Sequence, residues 1–113
     1  MFEVLVTDTY ADWYEDLPAK DQTAIDARVE LLAEHGPSLG RPTVDTLEHS
    51  SIANLKELRS STIRILFAFD PDRAAVLLLG GDKQGKWSAW YKTAIPEAER
   101  LWEEHLNTLD TDD

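Results

Sequence analysis

Between Asn54 and Asp82 the chain reads NLKELRSSTIRILFAFDPDRAAVLLLGGD, three apolar runs separated only by short Ser-Ser and Asp-Pro-Asp connections. No other stretch brings three such runs so close together, so the fold must be built around this one. Leu55 to Arg59, Ile63 to Phe69 and Ala74 to Leu79 each have strand length and are rich in Leu, Ile, Val and Phe, which predicts a three-stranded antiparallel meander. Asp70 followed by Pro71 is turn chemistry, because Asp caps the first position and Pro presets φ at the second. In the middle strand, Ile63, Ile65, Phe67 and Phe69 share one face and Arg64, Leu66 and Ala68 the other. The alternation therefore predicts Arg64 on the face away from the core. Glu57 and Arg59 also share a face, and hairpin pairing would bring Arg59 and Arg64 onto one side of the sheet. Two guanidinium groups on one open face can grip a phosphate.

The flanking segments supply helices. Phe2, Val4 and Val6 alternate with Glu3, Leu5 and Thr7 as in a short half-buried strand that joins the meander. Tyr10, Trp13, Tyr14 and Leu17 recur at helical spacing, giving a first helix with an aromatic stripe that reads as core rather than a binding box. Pro18 suits the first turn of a second helix, whose buried face is Ile25, Val29 and Leu32, and Gly36-Pro37 stops it. So short a break predicts a helical hairpin lying on the sheet. Residues 38–53 lack periodicity and read as an irregular loop carrying a solvated His49. After the meander, Trp87, Trp90, Tyr91 and Ala94 have helical spacing, and Pro96 opens a last helix with Leu101, Trp102, His105 and Leu109 inside. Phe67 and Phe69 are expected in one core with Trp13 and Val29.

One hundred and thirteen residues make one domain, taken as 1–109 with an acidic tail over 110–113. The chain has no cysteine, so disulfides, thiolate metal sites and cysteine nucleophiles are excluded. MFEVLVTD lacks a basic leader, and no run approaches the ~20 apolar residues of a membrane span. A cytoplasmic location without membrane contact is expected. The formal charge of −11 argues against a polyanion partner until its distribution is examined. Residues 54–92 carry a net +3, while the segments before and after carry −8 and −6. The cations Lys56, Arg59, Arg64, Arg73, Lys83, Lys86 and Lys92 thus fall on the meander and just after it; solvated surface charge would give the same pattern.

Gly80 and Gly85-Lys86 have the spacing of a phosphate-binding P-loop, yet Trp87 stands where Ser or Thr must hold Mg²⁺. Too little chain follows for the further parallel strands such a domain needs, and nucleotide hydrolysis is set aside. The glycines are expected to turn the chain off the last strand.

LKELR at Leu55 to Arg59, IRILFAFD with Arg64, and GGDK with Lys83 together resemble the HigB-like branch of the RelE/ParE toxin superfamily, the phage-derived toxins of type II toxin-antitoxin pairs. The resemblance spans nearly the whole chain. It implies an α+β fold with an antiparallel sheet (strand, two-helix hairpin, three-stranded meander) and C-terminal helices. It also implies a metal-independent, cofactor-free endoribonuclease that enters the ribosome and cuts mRNA, held by a cognate helix-turn-helix antitoxin as a monomer or a toxin-antitoxin hetero-oligomer. Cleavage of this kind uses the RNA's own 2′-hydroxyl, so the protein must align it, take its proton, stabilise charge on phosphorus and protonate the leaving oxygen. Arg59 and Arg64 suit charge stabilisation; Lys56, Lys83 or Glu57 could exchange protons, although alternation places Lys56 across the strand from Arg59. Arg73, Lys86, Tyr91 and Lys92 are candidate RNA contacts, with Tyr91 and Trp87 able to stack on bases. A ParE-like gyrase poison and an inert domain that only binds its antitoxin are the alternatives.

Overall fold

The three apolar runs form the centre of a five-stranded sheet of order β1-β5-β4-β3-β2. A computed structural model of the chain, describing residues 1–85 and 87–110, contains β1 (Val4–Val6), α1 (Asp8–Glu15), α2 (Ala19–His35) and a short 3₁₀ turn over Gly36–Ser38. It continues through β2 (Val44–Thr46), β3 (Lys56–Ser60), β4 (Ile63–Phe69), β5 (Ala75–Asp82) and α3 (Trp87–Asp110). The meander β3-β4-β5 is antiparallel throughout, as alternation predicts. Asp70 closes its second turn, one carboxylate oxygen accepting from the Ala74 amide at 2.9 Å.

Thr7 starts α1 by accepting the Tyr10 amide at 3.0 Å on its hydroxyl, which also donates to the Leu78 carbonyl at 2.6 Å. That carbonyl lies at a bulge, where Leu66 pairs with Leu79 and Phe67 with Leu77, so Leu78 has no partner of its own on β4. Gly36 ends α2 at φ +58°, its amide capping the Leu32 carbonyl. The hairpin of α1 and α2 covers one sheet face: Tyr10, Ile25, Leu32, Leu58, Ile65, Phe67 and Leu77 are buried there, with Trp13, Val29 and Phe69 packed against them as expected.

The secondary-structure elements depart from the sequence reading in four places. First, β1 is an edge strand parallel to β5, so the sheet is mixed rather than wholly antiparallel. Alternation specifies which side chains face the core, and two helices separate β1 from the meander, leaving its direction open. Second, residues 44–46 form an edge strand on β3 inside the expected loop, too short for a period to register. Third, the C-terminal segment is one helix with Pro96 inside it. Pro96 is exposed, so the carbonyl it leaves unbonded lies on the solvent side of α3, where water can meet it. Fourth, β5 runs on through Gly80 and Gly81, and the turn falls at Gln84 and Gly85. A Cβ at Gly80 would overlap the Trp13 ring and one at Gly81 the Trp90 indole, so these glycines admit large side chains from either layer.

The consequence for Arg64 is direct. The second sheet face is not open: α3 covers it, burying Leu66, Ala68, Val76, Leu78, Ala94, Ala98 and Leu101 in a second core. The strand register is as predicted, with Ile65 and Phe67 buried, but Arg64 is only 7% exposed because its face carries a helix of its own. His105 on that helix reaches the buried Asp70, Nε2 to Oδ2 at 2.8 Å. Among the described residues, no helix is long and apolar enough to cross a membrane. The acidic tail expected over 110–113 starts at the last residue of α3, and residues 111–113 lie outside the described residues.

Candidate active site

At the end of the sheet nearest the start of α3, the register sets Asp45 beside Glu57, Arg59 beside Arg64, and Arg64 beside Gly81. Glu57 is the hub and is 2% exposed. Its Oε2 accepts from Nε of Arg59 at 2.9 Å and lies 2.9 Å from Nη2 of the same guanidinium. Its Oε1 accepts the Tyr91 hydroxyl in a short hydrogen bond and sits 3.8 Å from Nε of Arg64. A carboxylate this deeply buried requires cationic partners and hydrogen bonds, and the neighbouring strand and α3 supply both. Arg59 Nη2 also reaches Oδ2 of Asp45 at 3.0 Å, and Arg41 holds the other Asp45 oxygen at 3.0 Å. Arg64 is anchored differently: Nη1 donates to the carbonyls of Ser61 at 2.6 Å and Ile63 at 3.0 Å.

Lys83 follows β5 directly, is 3% exposed, and donates its backbone amide to Thr62. Burial, then the positive charges of Arg64 and Arg59, pull its ammonium below the ordinary lysine range, with Glu57 and Asp82 opposing. Burial pushes Tyr91 up to about 12, reinforced by its bond to Glu57 and that carboxylate's charge, so the hydroxyl keeps its proton. The site thus holds an anchored guanidinium, a more accessible one, a lysine disposed to give up its proton, and a carboxylate fixed by a phenol.

Four predicted site residues, Arg59, Arg64, Lys83 and Tyr91, are brought together. Lys56 stays apart: it pairs with Phe67 on the hairpin side of the sheet, and its Nζ donates to Thr46 Oγ1 at 3.3 Å. Arg73 lies in the β4–β5 turn with its guanidinium 5.6 Å from the Phe2 ring centroid, at the far end of a strand that rises ~3.3 Å per residue. Lys92 is exposed on α3 beside Tyr91. Lys86 lies outside the described residues. The open arginine face expected from alternation is corrected, since Glu57 and Asp45 already engage Arg59 and α3 covers Arg64. Asp45 was not legible in the sequence, because only the pairing of β2 with β3 brings it to the cluster.

The family described as phage derived protein Gp49-like (DUF891) matches residues 12–103. The chain belongs to this family. It is 47% identical over 96 residues to a Mycobacterium tuberculosis protein named as toxin HigB3, covering 83% of this chain and 84% of that one. It is 43% identical over 99 residues to one named as toxin HigB2 of the same organism, over 83% of this chain but only 49% of that longer protein. Among solved structures, the archaeal RelE-RelB complex from Pyrococcus horikoshii aligns with a TM-score of 0.61 at 16% identity, covering 74% of this chain and 96% of that one. The RelBE2 complex from Mycobacterium tuberculosis gives 0.57 at 19%, over 72% and 96%. At these identities the structural likeness establishes a RelE-like fold.

Proposed function

We propose that this Gp49-like chain is the toxin of a type II toxin-antitoxin pair and cleaves mRNA on the ribosome. The single observation that carries the reading is the convergence of Arg59, Arg64 and Tyr91 on Glu57 at one end of the sheet, with the buried Lys83 directly after β5 at the same end. Attack of a 2′-hydroxyl on the adjacent phosphate forms the P–O2′ bond, breaks P–O5′, and passes through a phosphorane carrying extra negative charge. Arg59 is the group that meets it first. Its side chain is 30% exposed, and its contact with the partly exposed Asp45 is solvent-screened, so exchanging that carboxylate for a phosphate costs little. Arg64, fixed by two carbonyls, contributes charge from a position that does not move. Glu57, which keeps its Arg59 contact when Arg59 exchanges only Asp45, is the carboxylate beside that phosphate and accepts the 2′-hydroxyl proton, while Lys83 protonates the departing 5′-oxygen.

The unit carrying this activity is a single domain over residues 1–109, acting where ribosomes are, in the cytoplasm. A partner of the antitoxin class follows from the same reading, since the two RelE-fold structures described above were solved as toxin-antitoxin complexes. The occupied state of Arg59 favours one competing reading, an inert domain that only binds its antitoxin. Induced expression separates them. Translation arrest with cleaved message, reduced ~10²- to 10³-fold in cleavage rate by Arg59→Ala, is expected. No arrest would support the inert domain, and double-strand DNA breaks a gyrase poison.

A further inference from the structure

Next to the cationic cluster, and reached through Tyr91, is a cleft that the proposed cleavage reaction has not used. It lies between the loop after β2 and the first half of α3, and is lined by His49, Ser88, Tyr91, Lys92, Ile95, Pro96 and Glu99. One of these lining residues, Glu99, also pins the loop that forms the facing wall. The Glu99 carboxylate accepts the Ser51 amide at 2.6 Å, the Ser51 hydroxyl at 2.9 Å and the Ser50 hydroxyl at 3.0 Å, and Ile52 is buried beneath. On this pinned loop His49 is exposed and holds φ +66°, a conformation unusual for a residue with a side chain. The cleft therefore combines a flat aromatic ring, the apolar surfaces of Ile95 and Pro96, and the polar groups of His49 and Ser88. Lys92 adds a positive charge at its side, and the negative charge of Glu99 is turned onto the donors of Ser50 and Ser51.

We infer that this cleft receives a nucleobase of the RNA strand whose phosphate meets Arg59, making His49 and Ser88 specificity-determining residues. This rests on the cleavage reading. The chemistry fits one ligand class: a base has a π-face to lie on tyrosine and edge atoms to hydrogen-bond with imidazole and hydroxyl, and its sugar-phosphate is attracted to lysine. Tyr91 links the two sites physically, its ring lining the cleft while its hydroxyl holds Glu57. A seated base would thus register the strand against the carboxylate and Arg59, and cleavage position would follow base identity.

The test titrates the intact chain with each of the four nucleoside 3′-monophosphates, followed by amide and side-chain NMR shifts. Perturbation centred on His49 and Ser88, with unequal affinity among the four, is the expected result. His49→Ala should weaken the preferred nucleotide about five-fold, and Ser88→Trp, which fills the cleft from an exposed helix position, should weaken all four about ten-fold or more. Both variants should melt with the parent. Shifts confined to the Arg59 region, or affinities unchanged in both variants, would overturn the inference. Binding is read without cleavage, so a chain that binds a base here but cuts no message refutes the cleavage reading alone. A chain that cuts message with His49→Ala and Ser88→Trp leaving the cut positions unchanged refutes the inference alone.

Discussion

Replacing Arg64 by alanine tests the arrangement of the site through stability. The side chain is 8% exposed, and its Nη1 satisfies the carbonyls of Ser61 and Ile63. Its removal leaves those carbonyls short of a donor, deprives Glu57 of a neighbouring positive charge, and opens a void under α3. Breaking a buried ion pair from one side costs about 3–5 kcal/mol, which in a domain of this size corresponds to a fall in Tm of roughly 10–20 °C. Arg59→Ala should cost less than half as much, because that guanidinium is 30% exposed and Tyr91 still holds Glu57. Arg64→Lys should fall between, retaining charge but losing the planar fork. Thermal unfolding followed by circular dichroism and tryptophan fluorescence reads all three. A change of less than about 3 °C for Arg64→Ala, within what a surface substitution produces, would show that the guanidinium is not the buried partner described above.

Gly80→Ala should destabilise the fold by several kcal/mol (about 2–4), since the new methyl overlaps the Trp13 ring inside the first core, and urea unfolding would show the midpoint drop. On the alkaline side, unfolded tyrosines ionise near 10, whereas Tyr91 holds its proton to about 12, burial raises Tyr10, and the hydrogen bond to Asp26 raises Tyr14. The native chain then binds more protons than the unfolded one, so this contribution is whole below pH 10 and is lost as pH climbs towards 12; a tyrosinate absorbance midpoint near 10 in the folded protein would contradict it. On the acid side, the Ser51 amide and the Ser51 and Ser50 hydroxyls hold Glu99 below its ordinary 4.5. The stability it lends is present above pH 4.5 and lost as pH falls below, and Glu99→Gln should flatten that part of a Tm-against-pH profile.

Much of the fold was legible because periodicity is a property of neighbours along the chain. Ile63, Ile65 and Phe67 against Arg64, Leu66 and Ala68 is a two-residue alternation, and it correctly assigned both faces of β4. Tyr10, Trp13 and Ile25 reported their helices by the same logic, and Gly36 marked the end of α2 through the φ it alone adopts freely. The grouping of Arg59 with Arg64 followed from hairpin register. Illegible were the features that depend on what lies across the sheet: β2, the parallel direction of β1, and the continuity of α3 through Pro96.

The same division runs through the site. By itself the sequence determined that a strand pair would carry Glu57, Arg59 and Arg64 on one face, because side-chain direction in a strand follows from local backbone geometry. Only the tertiary structure decided that this face is covered rather than open. The covering is made by Trp90 against Gly81, Tyr91 on Glu57 and Ala94 against the second core, contacts between residues far apart in the chain. Alternation says that a side chain points away from one core and is silent on whether another helix waits there. In a sheet clothed on both sides, the charge that seems to face solvent is therefore the one whose burial must be satisfied by a partner, and here that partner is Glu57.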